Sequence, residues 1–302
     1  LSIDAFENFL SRYKGLKPDT IRNQTDAVQR FFSVNSISCL KDISLFHIEY
    51  GFAQSGQKEV YKSAMRKYLD FLFQEGTIEA DLGEVLPMIL PRIPNSYPLP
   101  SVYTDEEIRA ILGSIDRSTV QGSRDFAILM LASSLGIRAS DICEMTLEAI
   151  NFVKNELSFI QKKTSVPLTL PLLPDVKEAL LGYLGYRKID STDEPIFIQC
   201  RAPYHKLTRM GIWTIMRRYV KQSGVDPGHR KRGTHALRSS LASSMVREQV
   251  PYYAVQKILG HESPQSTKNY VRIDIGRLRE FTLPVPEAYG RFDAFLKGGE
   301  TR

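Results

Sequence analysis

The sequence predicts a mainly α-helical protein that contains one small β-hairpin and is divided into two domains. Apolar residues recur at helical spacing along most of the chain, and one short segment alternates between apolar and polar residues. A proline-rich stretch separates two regions of different character. The length of 302 residues is itself a soft indication of two domains. We therefore expect an all-helical first domain and an α+β second domain.

The first domain, predicted to span residues 1–90, shows only helical patterns. Near its start, Phe6, Phe9, Leu10 and Tyr13 recur at the spacing of one helix face. This spacing predicts a first helix whose apolar side chains lie in a common core.

Two further helices in this domain follow from start and stop signals. The sequence Lys17-Pro18-Asp19-Thr20 is typical of a helix start, and a second apolar pattern predicts a helix from Lys58 to Gln74 that ends before Gly76. The apolar face of that second helix consists of Val60, Ala64, Met65, Tyr68, Leu69, Phe71 and Leu72. We find no strand pattern of useful length, so the domain is predicted to be helical throughout.

A proline-rich stretch ends the first domain. Five prolines lie between Pro87 and Pro100, and each removes a backbone donor and disfavours a helix interior. We therefore expect no packed helix there and place the linker at residues 91–102. The sequence Thr104-Asp-Glu-Glu107 then has the pattern of a capping box and opens the second domain, residues 103–302.

The second domain mixes helices with a hairpin. Its predicted helices cover 105–115, 124–135, 208–222, 235–248, 252–259 and 264–272. Alternation from Leu157 to Gln161, a turn near Lys163-Thr164-Ser165 and a return over 166–170 predict the β-hairpin. The helix over 264–272 carries Tyr270 near its end.

The composition is that of an ordinary globular protein, with 42% hydrophobic and 25% charged residues. The sequence contains no apolar run of membrane-spanning length and no signal-peptide pattern, so we expect a cytoplasmic protein without a membrane partner. The three cysteines are far apart and lack metal-ligand spacing, which indicates reduced thiols. The first residue, Leu1, is not methionine, which is consistent with native residues missing from the N-terminus.

The positive charge of the chain is concentrated in its second part. The formal net charge is +6, and residues 201–238 contain ten Lys or Arg residues against a single acid, Asp226. A charge run is most often a solvated helix face, but this one leads into a His-x-x-Arg sequence, which favours a nucleic-acid surface. The candidate DNA contacts are Lys162, Arg201, Lys206, Arg209, Arg230, Lys231 and Arg232.

Several residues of the second domain suit the cleavage of a phosphodiester without a metal or cofactor. Arg138 and Arg238 could bind a phosphate from two sides, because the guanidinium group is planar and stays charged. His261 would add a donor, and a lysine on the hairpin would give a proton to the leaving oxygen. Tyr270 suits the nucleophile, since a phenol is a good leaving group and the link to DNA is therefore reversible.

Each of these residues alone is more often structural. A tyrosine at a helix end is commonly a packed amphipathic side chain, and Leu-Gly-His is commonly a helix stop with a capping histidine. Their occurrence together in one order favours a catalytic site.

The order of these segments resembles a known family. Leu135-Gly-Ile-Arg138-Ala-Ser-Asp141, His235-Ala-Leu-Arg238, Ile258-Leu-Gly-His261 and Ser266-Thr-Lys-Asn-Tyr270 are similar to the active-site boxes of the tyrosine recombinase (phage integrase) family, of the bacterial Xer and integrase kind. The first domain resembles the helical core-binding domain of that family. The resemblance implies a core-binding domain joined to a tyrosine-recombinase catalytic domain.

The resemblance also implies a role for each box. Arg138 and Arg238 would hold the scissile phosphate, His235 would accept a proton or contact the phosphate, and His261 would be the second histidine. Tyr270 would attack DNA and form a 3′-phosphotyrosyl intermediate, and Asp141 would support Arg138. Counting back from Leu170-Pro171-Leu172 favours Lys163 over Lys162 as the proton donor. One departure is Ser239, where many relatives have histidine.

The implied partners are double-stranded DNA recombination sites and other protomers. The resemblance implies four protomers on two DNA sites, with a monomer as the possible state in free solution. It also implies that a C-terminal segment of about 273–302 is exchanged between neighbouring protomers, and that the protein is associated with the nucleoid. That segment could instead cover its own domain's core. Two rival functions are a type IB topoisomerase that relaxes DNA, and a DNA-binding relative that has lost catalysis. The DNA sequence and the biological task, whether integration, resolution or inversion, are left open.

Overall fold

The computed structural model describes residues 3–91, 101–187 and 194–260 of the chain. Two compact units divide between Ser96 and Tyr97, inside the stretch assigned above to the linker. The predicted helical segment 264–272 and the tail 273–302 lie outside the described residues.

The described part of the first unit is helical throughout. Its elements are α1 (Ile3–Arg12), α2 (Pro18–Val34), a 3₁₀ turn (Leu40–Asp42), α3 (Leu45–Gln54), α4 (Lys58–Gln74) and α5 (Leu82–Ile89). Proline occupies the first position of α2, where its missing N–H has no intrahelical partner to lose. The bounds of α4 are those that its apolar pattern predicts.

Aromatic side chains form much of the core of the first unit. Phe6 of α1 and Phe32 of α2 both make edge-to-face contacts with Tyr68 of α4, at ring-centroid distances of 5.0 and 5.8 Å. Aromatic pairs in this geometry stabilise a core beyond the area that they bury. The unit therefore has a well-packed centre of its own.

Two expectations for this unit were wrong. Tyr13 lies beyond the end of α1 and is 80% exposed, so it does not continue the buried face. Pro87 lies inside α5, although no packed helix was expected in the proline-rich stretch that begins with it. The α5 helix tolerates it because the helix is short, its start is capped by the Asp81 carboxylate, and Leu86 is buried in the core.

The second unit combines seven α-helices with a three-stranded sheet in its described part. The elements are α6 (Asp105–Gly113), α7 (Val120–Ser134), α8 (Ala139–Glu144), a 3₁₀ turn (Leu147–Ala149), β1 (Ile150–Asn151), β2 (Glu156–Ile160), β3 (Pro167–Pro171), α9 (Pro174–Leu184), α10 (Arg209–Gln222), α11 (Thr234–Arg247) and α12 (Tyr252–Leu259). The prediction of a mainly α protein with a small sheet is confirmed.

The sheet is antiparallel in the order β1-β2-β3. Leu157 pairs with Leu170, and both are buried, as is Leu168. The alternation of these residues explains why the hairpin was predictable. The two-residue strand β1 is too short to give such a signal.

Helix α7 is the central element of the second unit. Its residues from Ala127 to Ala132 are all buried, so it is surrounded by protein. At its start, the fully buried Asp125 accepts hydrogen bonds from Arg124 and from the Tyr219 hydroxyl of α10, at 2.6 and 3.1 Å. Burial raises the pKa of Asp125, and the adjacent Arg124 charge opposes this shift. A paired buried charge thus ties α7 to α10.

The start of α6 is held by an arginine more than a hundred residues away. The predicted capping box is present: the Thr104 side chain accepts from the Glu107 N–H, and the Glu107 carboxylate accepts from the Thr104 N–H. The same carboxylate takes two hydrogen bonds from Arg230, at 2.6 and 2.7 Å. The Arg230 guanidinium lies 4.4 Å from the centre of the Tyr103 ring. Arg230 therefore fastens the first residues of the second unit to the segment that precedes α11.

Within the described ranges, no helix is both long enough and apolar enough to cross a membrane.

Exchange of Glu107 for glutamine should destabilise the second unit. A glutamine keeps the capping box but removes the charge that pairs with Arg230, so we expect a loss of about 1–2 kcal/mol at pH 7, between the values of exposed and buried pairs. Arg230 holds the pKa of Glu107 below its usual value. The contribution is therefore present above the unfolded pKa of about 4.3 and is lost as the pH falls below it. Urea denaturation at several pH values measures it.

The control for this experiment is Glu106→Gln. Glu106 pairs with Arg109 on the surface, where both side chains are more than 70% exposed. Because this pair is exposed to solvent on both sides, we expect its exchange to leave the free energy of unfolding close to that of the parent protein. Equal losses in the two variants, or a Glu107→Gln loss that persists at pH 3, would contradict the assignment.

Candidate active site

The two candidate arginines are brought together by a glycine turn and a buried helix face. Gly136 follows α7 with φ +64°, and a Cβ there would lie 2.9 Å from Leu259 and 3.1 Å from Leu241. Only glycine suits both the left-handed backbone and this close approach. The turn leads to Arg138 at the N-terminal boundary of α8, while Arg238 projects from α11 and is 2% exposed.

The C-terminal end of α12 accepts hydrogen bonds from both arginines. Arg238 donates from Nη2 to the Leu259 carbonyl at 2.6 Å and from Nη1 to the Gly136 carbonyl at 2.5 Å. Arg138 donates from Nη2 to the Gly260 carbonyl at 3.4 Å. Carbonyls at a helix C-terminus carry partial negative charge, so they stabilise these cations. One helix end thereby orients two guanidinium groups.

The β2–β3 turn is attached to the same helix end through Gln161. This side chain is 1% exposed, donates to the Leu259 carbonyl at 3.2 Å, and accepts from the Thr164 hydroxyl at 2.8 Å. A Cβ at Gly260, which has φ +58°, would lie 2.4 Å from the Gln161 amide nitrogen. In the sequence, Gln161 stands out only as the last residue of the strand alternation. A functional role for Gln161 was indicated in the sequence by a polar residue at an inward-facing strand position, directly before two lysines.

Asp141 of α8 holds the other side of the turn. It is 4% exposed, and its carboxylate accepts from the Lys162 N–H at 2.9 Å and from the Ser140 hydroxyl at 3.3 Å. Burial raises the pKa of Asp141, and the Lys162 N–H and the Arg138 charge lower it in part. Asp141 therefore interacts electrostatically with Arg138 and also fixes the lysine-bearing turn to α8.

The two candidate lysines differ in their surroundings. Lys162 forms an ion pair with Glu144, which also pairs with Lys206 at 2.7 Å. Both contacts hold the pKa of Glu144 below its usual value. Lys163 is exposed, and its charge acts on the ring of His235. The charge of Lys163 therefore acts on the candidate histidine, while the Lys162 ammonium group is paired with Glu144.

His235 lies in the first turn of α11, next to the arginine pair. Loss of hydration on the protein-facing side of its ring lowers the pKa of His235 below the ordinary value. The positive charges of Arg238, Lys231 and Lys163 lower this pKa further. These influences favour the neutral imidazole, which can accept a proton.

The candidate DNA contacts fall into two groups. Lys162 and Lys206 pair with Glu144, and Arg230 pairs with Glu107, so part of the charge of these three residues is already compensated within the protein. The other group is exposed to solvent and consists of Arg201, Arg209, Lys231 and Arg232. Among these, Lys231 is close enough to influence His235.

His261 and Tyr270 lie outside the described residues, which end at Gly260. His261 follows Gly260 directly in the sequence, so the chain reaches it from the carbonyls that orient both arginines.

Comparison with known proteins assigns the family. The model of the phage integrase family matches residues 101–277 of this chain, which include every candidate catalytic residue. The chain therefore belongs to the phage integrase family. It is a tyrosine recombinase, an enzyme of site-specific DNA recombination.

Similar proteins are known over nearly the whole chain. The tyrosine recombinase XerC of Oceanobacillus iheyensis is 28% identical over 297 residues, which cover 93% of this chain and 94% of XerC. Among solved structures, XerH bound to a palindromic difH substrate after cleavage matches with a TM-score of 0.72 and 18% identity, over 92% of this chain and 83% of that one. A lambda integrase dimer bound to a COC′ core site matches with a TM-score of 0.69 and 22% identity, over 94% and 98%. These structures share the fold.

Removal of a neighbouring charge should raise the pKa of His235. In the Lys231→Met variant one of the cations that disfavour the imidazolium is absent, so the ring should titrate at a higher pH than in the parent protein. Proton NMR of the histidine ring resonances measures this pKa, and the resonance missing from His235→Gln identifies the residue.

Lys231→Arg is the matched control, because it keeps the charge and should leave the titration near its parental position. A parental His235 that titrates above an unperturbed histidine, or an unchanged pKa in Lys231→Met, would disprove the electrostatic account.

Proposed function

We propose that this chain cuts and rejoins double-stranded DNA at specific recombination sites through a 3′-phosphotyrosyl link to Tyr270, without a metal. The convergence of Arg138 and Arg238 on the carbonyls of Leu259 and Gly260, immediately before His261, is the observation that supports this proposal most strongly. Two oriented guanidinium groups beside a helix end are suited to a phosphate that must accept further negative charge.

The reaction follows from the chemistry of the surrounding groups. The Tyr270 oxygen attacks the phosphorus atom, and the bond from phosphorus to the 5′ oxygen breaks. The neutral imidazole of His235 takes the phenol proton, and the ammonium group of Lys163 gives a proton to the departing 5′ oxygen. Arg138, Arg238 and His261 stabilise the charge on the non-bridging oxygens. Attack by another 5′ hydroxyl reverses these steps and joins exchanged strands.

The assembly extends this proposal. The first unit serves as the core-binding domain, four protomers act on two DNA sites, and the segment 273–302 is exchanged between neighbours. The exposed cations Arg201, Arg209 and Arg232 contact phosphates, and the enzyme acts on DNA in the cytoplasm. The DNA complexes of XerH and lambda integrase support the binding of DNA sites, and the family resemblance is the basis for the four protomers and the exchanged segment. Relaxation of DNA by a type IB topoisomerase is disfavoured, because the similar proteins are named as recombinases.

The nucleophile is tested with Tyr270→Phe. This variant should bind DNA with nearly parental affinity but should form no covalent adduct, because it lacks the attacking oxygen. Sequencing of the DNA that the variant retains identifies the site, and a nicked substrate containing that site traps the adduct for denaturing gel electrophoresis. Tyr253→Phe, which alters a 75% exposed tyrosine of α12, should form the adduct at the parental level. An adduct that survives in Tyr270→Phe would disprove the mechanism.

The proton donor is tested with Lys163→Ala. Cleavage of ordinary DNA should slow by about 10²–10⁴-fold, the usual contribution of a general acid. A substrate with sulfur in place of the bridging 5′ oxygen should restore most of the rate, since the thiolate leaves without a proton. Lys162→Ala should remain within a few fold of the parent on both substrates. Rescue of Lys162→Ala instead of Lys163→Ala would exchange the roles of the two lysines.

A further inference from the structure

All hydrogen-bonding groups of Gln161 are used where the lysine-bearing turn begins. Its backbone N–H donates to the Val166 carbonyl at 3.0 Å, and its carbonyl accepts from the Ser165 N–H at 2.7 Å. Its side chain connects Thr164, inside the turn, to the Leu259 carbonyl on α12. Gln161 therefore closes the turn and also attaches it to a separate element.

The attachment leads directly to the arginine pair. The Leu259 carbonyl accepts from both Gln161 and Arg238, so the two lone pairs of one oxygen serve the turn and the arginine together. Because Lys163 lies on the turn and Arg238 donates to this oxygen, a shift of the turn relative to the oxygen also changes the position of Lys163 relative to Arg238.

The space around the Gln161 amide leaves little room for such a movement. The side chain is 1% exposed and packs on the backbone of Gly260, where even a single added methyl group would overlap the amide. On the opposite side, Asp141 holds the Lys162 N–H. The turn is thus fixed at two points, one on α8 and one on α12.

We propose that Gln161 is a positioning residue that holds Lys163 in register with the phosphate-binding arginines. This inference rests on the proposed function, in which Lys163 protonates the leaving oxygen. Proton transfer requires approach to about 2.6–3.2 Å, and a misplacement of about 1 Å can cost about a hundredfold in rate. Gln161 acts through Lys163 and touches neither DNA nor the reacting atoms.

The test variant is Gln161→Met, which has similar volume but forms no side-chain hydrogen bonds. Cleavage of ordinary DNA should fall by about 10–100-fold. Cleavage of the substrate with a bridging 5′ sulfur should stay within about threefold of the parent, because that step needs no proton donor. Thr164→Val, which removes only the contact to the Gln161 carbonyl oxygen, should show a smaller loss with the same dependence on substrate. DNA affinity, measured for Gln161→Met in the Tyr270→Phe background, should not change.

A purely structural role predicts a different pattern, namely equal losses on both substrates. Such losses, or a parental rate on ordinary DNA, would overturn the role of Gln161. Should Gln161→Met not fold, Thr164→Val carries the test: a loss on ordinary DNA that the sulfur substrate relieves supports the positioning role, and equal losses on both substrates overturn it.

Lys163→Ala is measured alongside to separate the two levels of the proposal. If its cleavage is not rescued by sulfur, the proton-donor role of Lys163 fails and the inference on Gln161 fails with it. If Lys163→Ala is rescued and Gln161→Met does not lose activity selectively on ordinary DNA, only the inference on Gln161 fails.

Discussion

The site depends on one interaction, in which three side chains donate hydrogen bonds to the last carbonyl of α12 and to the carbonyl of the glycine that caps this helix. Leu259 and Gly260 receive Arg238, Arg138 and Gln161. A guanidinium group that is 2% exposed, as in Arg238, would be strongly destabilising without such acceptors. The left-handed backbone of Gly260 ends the helix at this point. The residues that end α12 are therefore the same residues that orient both arginines.

A small apolar cluster decides where these carbonyls lie. Ala242 and Val246 of α11 pack against Val255 and Leu259 of α12, apart from the main core of the second unit. Because Arg238 is also on α11, the pairing of these two helices places a donor and its acceptor together. Loss of a methyl group in this cluster would displace α12 and change the site without touching any polar residue. The apolar contacts between α11 and α12 therefore determine the position of Arg238 relative to the carbonyl that accepts its hydrogen bond.

The parts that the sequence predicted are those with local signals. The periods of Lys58–Gln74 and Tyr252–Leu259 give helix bounds that the structure reproduces, and the capping box at Thr104 needs only four residues. The errors and omissions have non-local causes. Arg230 and Glu107 are separated by 123 positions in the sequence, and Gln161 and Leu259 by 98. Neither contact can therefore be recognised from a short segment of the sequence. The tolerance of α5 for Pro87 likewise depends on a tertiary core.

The placement of His235 among cations links the binding of a proton to the binding of DNA. The charges that would attract a phosphodiester also disfavour the imidazolium form of this residue. A bound phosphate adds the opposite charge, so it raises the proton affinity of the ring, and by reciprocity protonation of the ring raises the affinity for phosphate. A phosphate bound beside the arginine pair would therefore make His235 a stronger base than it is in the free protein. This coupling needs no contact between the phosphate and the ring, because the interaction of charges acts through space.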